Sequence, residues 1–266
     1  MRPSRIILKT GSAAATADSN AFTLTISGAS TKGMYVRTGG AWTKYTPNVR
    51  VSGNWYEPDA YVRVGGAWVQ VYTKRPTLDP NNKATIMVLS ENNLRCLSNS
   101  TAARGAAFGT FGMTTGKWYW EVLSLSAVTA QGVGIGAAGA NINEYLGSDA
   151  FSWGYFPSGA YWTAGVNQGT GTAWGTNSII GLALDVAGNL DVYVDDRESF
   201  SIAHGLAGPI WAGISDSSTG GVSNFVMNFG QDSSFNGRVA AQDNPDENGN
   251  GDFYYVPPAG YKMMGT

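Results

Sequence analysis

Alternation with a period of two is the strongest pattern in this sequence, and it confines the chain to β structure. In Ile180-Gly181-Leu182-Ala183-Leu184-Asp185-Val186 the large apolar residues fall on every second position. Leu190, Val192 and Val194 alternate with Asp191, Tyr193 and Asp195, and Phe225, Met227 and Phe229 with Asn224, Val226 and Asn228. Side chains at such spacing share one face of a strand, so Leu182, Leu184, Val192 and Phe229 are expected in the core. Ala187-Gly188-Asn189 is expected to turn the first two runs into a hairpin. No stretch of ten or more residues carries apolar positions at helical spacing. Glycine, at 36 of 266 residues, supplies turn positions, and a 12% aromatic content suits pleated surfaces. Many short strands with an apolar face each predict an all-β, two-sheet sandwich.

The N-terminal region repeats. Tyr35-Val36-Arg37-Thr38-Gly39-Gly40-Ala41-Trp42 is followed by Asn48-Val49-Arg50-Val51-Ser52-Gly53-Asn54-Trp55 and Tyr61-Val62-Arg63-Val64-Gly65-Gly66-Ala67-Trp68. The Arg, Gly and Trp positions keep a 13-residue period. Each unit reads as a short strand, a Gly-Gly or Ser-Gly turn and a returning strand. A lone hairpin is marginal in water, so the repeated Trp42, Trp55 and Trp68 are expected to pack together between hairpins or subunits, for docking and oligomerisation. The alternative is a row of exposed sugar-stacking platforms. Residues 1–30 are rich in Ala, Ser and Thr, with one alternating stretch, Phe22 to Ile26. Residues 73–83 are polar and carry two prolines, which reads as a linker. The expected organisation is a hairpin-repeat module over 1–72, a linker over 73–83 and a sandwich over 84–266.

Charge and composition exclude several functions. The net charge is −2, with 17 basic and 19 acidic residues that read as dispersed. The basic stripe expected of a nucleic-acid binder is missing, so no nucleic-acid partner is expected. No 18-residue apolar run predicts a membrane span, and the first nine residues lack the apolar core of a secretory signal. Cys96 and His204 are the only residues of their types. Intrachain disulfides, most zinc sites, His-based dyads and Ser-His-Asp triads are thereby removed, and His204 reads as structural or incidental.

Gly134-x-Gly136-x-x-Gly139 matches a dinucleotide fingerprint formally, but its all-β surroundings argue against a Rossmann unit. Asp246-x-Asn248-x-Asn250-Gly251-Asp252 resembles half of a calcium loop. Pro257 stands where the bidentate Glu of such a loop would be, so a polar turn is expected, and neither a metal nor a cofactor. Glu91, Glu121, Glu144, Asp149, Asp185, Asp191, Asp195, Asp196 and Asp216 could supply a glycosidase pair, though no pair has a preferred geometry in sequence. No Gly-x-Ser-x-Gly elbow occurs.

Six segments, in order, resemble the strands of the SPRY-domain family. They are Gly116 to Val122, Val133 to Gly136, Ile179 to Asp185 with its hairpin partner Leu190 to Val194, Pro209 to Ser215, Val226 to Gly230, and Gly251 to Tyr261. The last resembles the phage branch of the family. Asn177-Ser178 replace the family's usual Gly-Asp before the third segment. The resemblance covers roughly residues 84–264. It implies a SPRY/concanavalin-like sandwich that serves as a non-catalytic binding scaffold, with contacts made by loops at one end. The N-terminal repeat is similar to repeats of phage tail proteins.

Together these readings predict a bacteriophage tail-tip or tail-fibre protein, assembled in the bacterial cytoplasm into the virion tail. The expected partners are other tail proteins, two further copies of the chain in a homotrimer, and a host surface polysaccharide or outer-membrane protein. The alternatives are a structural baseplate decoration and a tail-associated glycan hydrolase. The aromatic, Gly-rich segment 157–174 is the expected recognition surface. There Tyr161, Trp162 and Trp174 serve as stacking groups, and Asn167 and Gln168 as hydrogen-bonding groups.

Overall fold

The computed structural model describes residues 75–265 except 127 and 218–220, together with six strands between residues 34 and 72. The chain divides into two units, Met1–Lys74 and Arg75–Thr266. The division corrects the reading of dispersed charge. Residues 1–74 hold nine Lys and Arg against three Asp and Glu, net +6, whereas residues 75–266 hold eight against sixteen, net −8.

In the first unit β1 (Met34–Thr38) pairs with β2 (Ala41–Tyr45), β3 (Val49–Val51) with β4 (Asn54–Tyr56), and β5 (Ala60–Val64) with β6 (Ala67–Tyr72). Each pair is an antiparallel two-stranded sheet of its own. The glycine turns, the expected strand at Phe22 to Ile26 and the side chains of Trp42, Trp55 and Trp68 lie outside the described residues.

Among its described residues the second unit holds fifteen strands. They are β7 (Leu78–Lys83), β8 (Met87–Ser90), β9 (Arg95–Ser98), β10 (Gly105–Gly109), β11 (Lys117–Ser124), β12 (Gln131–Ala137), β13 (Ser152–Tyr155), β14 (Ala160–Thr163), β15 (Val166–Thr170), β16 (Ile179–Asp185), β17 (Asn189–Val194), β18 (Arg197–Ala203), β19 (Ile210–Asp216), β20 (Asn224–Asn228) and β21 (Lys262–Met263). One sheet runs β15-β14-β13-β12-β19-β10-β7, the other β18-β17-β16-β11-β20-β9-β8. The pairs are antiparallel apart from β21, which lies parallel to β11. No helix occurs among the described residues. Val133, Ile135, Ile210 and Ile214 of the first sheet meet Trp120, Val122, Leu182, Leu184 and Val192 of the second, with Phe229 just beyond β20, in one core. The expected core positions are therefore buried, as the alternation requires.

Two expectations change. The segment 73–83 is not a linker throughout, because β7 pairs with β10 and buries Leu78 fully. Arg75 donates to Gly230 O at 2.6 Å, and Gln231 Nε2 to Pro76 O at 3.1 Å, which fixes this stretch to the sandwich. Pro80 is accommodated because β7 is an edge strand, where a missing N–H leaves no ladder bond unmade. Second, the central strands are buried on both faces rather than one. Phe108, Leu146 and Trp211 cover the outside of the first sheet. Phe235, Phe253, Tyr261 and Met263 cover the outside of the second.

The C-terminal cover is pinned by a buried carboxylate. Glu121 on β11 accepts hydrogen bonds from the backbone N–H of Tyr254 and Tyr255 at 2.9 and 2.8 Å, from Asn228 Nδ2 at 3.1 Å and from Tyr119 Oη at 3.2 Å. Burial pushes its pKa up to about 7, although these four donors pull the other way. Asp246 does similar work. Its Oδ1 accepts from Asn248 N and Asn250 N and its Oδ2 from Met263 N, all at 2.9 Å. The calcium-like motif is thus a loop whose leading carboxylate is engaged by backbone.

Candidate recognition hairpin

The segment expected to form the site folds as the β14–β15 hairpin, on the edge of the first sheet. Thr163 and Val166 close it around Ala164 and Gly165, whose φ angles are +51° and +71°. Positive φ at both loop residues matches the right-handed strand twist, and an alanine there is strained. The hairpin tip is held by Ala164 N donating to Asp149 O and Gly165 N to Gly147 O, at 2.8 and 2.9 Å.

Strand alternation then sends neighbouring side chains to opposite sides. Tyr161 turns toward the second sheet and stacks on Phe200 of β18, with ring centroids 4.2 Å apart and 17° between planes. Tyr155 meets the same ring edge-on at 4.9 Å. Its hydroxyl donates to Thr172 O and bonds Ser199 Oγ at 2.9 Å, while Ser199 Oγ also accepts from Thr172 N at 2.7 Å. These contacts clasp the edges of the two sheets together. Gly169 stands opposite Tyr161, and any side chain there would run into the Tyr161 hydroxyl.

Trp162 is half-buried and pairs across the ladder with Gly154 and Asn167. The register shifts between Tyr161 and Trp162, so Gln168 is the extra residue of a bulge. Asn167 Oδ1 accepts Gly169 N at 2.9 Å, which closes that bulge. Asn167, Gln168 and Val166 are exposed, and Val166 retains 56% of its surface.

Trp174 departs from its expected role. It is 6% exposed and packs beside Tyr155, with centroids 6.0 Å apart. Trp174 N donates to Pro157 O at 3.0 Å, which draws the indole inward as a plug at the clasped edge. The neighbouring Gly171 suggested an exposed loop, but it lets the chain approach Ser199 and Phe200 of β18 closely. Of the five residues expected at the surface, the structure therefore brings Trp162, Asn167 and Gln168 together there. Tyr161 stands half-buried behind them.

Most of the candidate catalytic carboxylates are engaged by other groups of the fold. Glu91 bonds Arg238 at 2.6 Å, which holds its carboxyl below the ordinary range. Glu144 bonds Arg104 and Asp185 bonds Lys117, at 3.1 and 3.2 Å. Asp191 Oδ2 accepts Tyr261 Oη at 2.8 Å, Asp195 Oδ1 accepts Ile179 N at 2.9 Å, and Asp149 Oδ1 caps Phe151 N at 2.9 Å. No group of three or more metal-ligating side chains occurs among the described residues. His204 is buried, with Nδ1 accepting Leu206 N and Nε2 against Asp185 O, both at 3.1 Å. Gly134 and Gly136 lie inside β12, not at the start of a helix.

The sandwich has known counterparts. No family model matches the chain. The SPRY domain of human HERC1 superposes with a TM-score of 0.50 at 17% identity, over 56% of this chain and 96% of that domain. The larger unit has the SPRY fold. In sequence, 136 residues, 47% of this chain, are 30% identical to SPRY domain-containing SOCS box protein 3 of Xenopus tropicalis, and span 38% of it. A similar share is 28% identical to Ran-binding protein 9 of Danio rerio and spans 22% of it. The chain thus spans well under half the length of the curated relatives it matches. Within the SPRY sandwich the departure at Asn177-Ser178 is absorbed locally. Asn177 takes φ +68°, a conformation that Asn tolerates better than most residues, and donates to Ser124 O at 2.8 Å.

Phe200 and Ser199, the counterparts of Tyr161 and Tyr155, were not anticipated from sequence. Their signal was present in Asp195-Asp196, a two-residue loop with φ +49° and +68°, followed by the mixed strand Arg197–Ala203.

Proposed function

We propose that this chain is a non-catalytic bacteriophage tail-tip or tail-fibre protein that contacts the host surface through its SPRY sandwich. The observation that carries the reading is the β14–β15 hairpin, a rigid sheet edge that presents an indole beside two amides. An indole face offers contact area at little entropic loss, and amides add directional hydrogen bonds, a combination suited to a surface polysaccharide or an outer-membrane protein. The clasp by Tyr161, Phe200 and Tyr155 keeps this edge preorganised, which lowers the ordering penalty of binding.

The basic N-terminal unit joins three copies and docks them to other tail proteins, in virions assembled in the bacterial cytoplasm. Two-stranded sheets are marginal alone, which supports association through them. Electron microscopy of phage particles carrying a tagged copy tests the reading. Label at the free end of the tail is expected; label on the capsid, or none on intact particles, contradicts it.

A further inference from the structure

The register of the three N-terminal sheets holds a regularity that docking alone does not require. Arg37 stands directly opposite Trp42, Arg50 opposite Trp55 and Arg63 opposite Trp68. Residues paired directly across antiparallel strands share a face, with Cβ atoms about 5 Å apart. Two positions along, Tyr35 opposite Lys44 and Tyr61 opposite Gln70 fall on that same face in the outer two sheets. The other faces are composed differently. They carry Met34 with Tyr45, Val36 with Thr43 and Thr38 with Ala41 in the first sheet, Val49 with Tyr56 and Val51 with Asn54 in the second, and Val62 with Val69 and Val64 with Ala67 in the third. Each sheet therefore has an uncharged face with at least one valine and an Arg–Trp face, and the unit that holds them is net +6.

We propose that the three Arg–Trp faces form a repeated site for a linear anionic polysaccharide, one carboxylated sugar to each sheet. The uncharged faces, rather than Trp42, Trp55 and Trp68, then join the copies of the chain. Three like sites at a constant 13-residue spacing match a ligand that itself repeats. The folded surface of a protein partner, the acidic sandwich of another copy included, offers no such period. Indole faces stack on pyranose rings, and guanidinium groups pair with sugar carboxylates. One arginine per sheet suits a polymer with one charge every sugar or two. Nucleic acid, with a phosphate at every nucleotide, draws on denser basic surfaces.

The test uses the full chain in titrations against alginate and hyaluronate, with neutral dextran and single-stranded DNA as comparators, at one fixed low salt concentration. Binding of at least one uronate polymer is expected, with dextran at least about tenfold weaker. Each of Arg37→Gln, Arg50→Gln and Arg63→Gln should weaken it several-fold, and the triple variant about 100-fold, as linked sites do. The triple Arg→Lys variant keeps the charges and should retain most of the affinity, which separates lost contacts from lost folding. The proposal is overturned if neither uronate polymer binds, if dextran binds equally, if DNA binds more tightly, or if the triple Gln variant binds like the parent. A fall in oligomeric mass in the folded triple Gln variant would make the face a protein interface and overturn it as well.

Discussion

Tyr161 and Phe200 come from different sheets, yet their rings lie 4.2 Å apart and nearly parallel, so the outermost hairpin of one sheet is closed onto the edge of the other. This divides the aromatics of the segment into those that hold the edge and those that can meet a partner. Tyr161→Ala should remove the stack and destabilise the sandwich by roughly 2 kcal/mol, because a half-buried ring loses both burial and its ring contact. Thermal or chemical denaturation of this variant measures it. Unchanged stability would mean that the clasp contributes nothing.

Trp174 separates shape from polarity. Its indole Nε1 is buried without a hydrogen-bond partner among the described residues. Trp174→Ala is expected to cost about 3–5 kcal/mol, as for other large core truncations. Trp174→Phe should cost far less, since it keeps a ring while removing an unsatisfied donor. Equal losses in urea titrations of the two variants would show that the N–H matters more than the volume.

The hairpin tip offers a stabilising substitution. Ala164 sits at φ +51°, where a Cβ is disfavoured by about 1 kcal/mol and glycine is not. Ala164→Gly should therefore raise the melting temperature, by an amount reduced through the extra freedom of glycine in the unfolded chain. A lower melting temperature would contradict the strain at this loop.

Glu121 gives the fold a pH dependence of unusual sign for a carboxylate. Its folded-state pKa is raised to about 7 from an ordinary 4.5, chiefly by burial. The native state thus holds a proton that the unfolded state releases between those values. The contribution is full below about pH 4.5 and is lost as pH rises through 7, a change on the order of 3 kcal/mol. Glu91 has a lowered pKa, so its contribution weakens only at more acid pH, outside this window. Urea midpoints at pH 5 and pH 7.5 should differ for the parent and converge for Glu121→Gln. A midpoint that rises with pH in the parent would reverse the assignment.

The sandwich was legible because alternation reports burial directly, as at Leu182, Leu184, Val192 and Phe229. The strand Leu78–Lys83 was not, since Pro80, together with Pro76 just before it, signals a loop wherever the edge position that tolerates it is unknown. Trp174 and Trp162 look alike in sequence, both aromatic among glycines. Only the pairing of β14 with β15 and the approach of β18 decide which of them turns inward. Phe200 escaped for the same reason, because its partner lies 39 positions away on another sheet. The Arg–Trp pairs repeat visibly, but that they face each other follows from strand register.

The most direct measurement of the central claim is host attachment by Trp162→Ala and Asn167→Ala in the otherwise intact chain, set beside their melting temperatures. Asn167 is exposed and Trp162 half-buried, so both variants should remain folded, with the melting temperature lowered more by Trp162→Ala than by Asn167→Ala. Binding of labelled protein to bacteria that the parent chain decorates should fall at least about tenfold in each variant, the loss expected of an anchor residue. Attachment equal to the parent by two folded variants would contradict recognition through this hairpin.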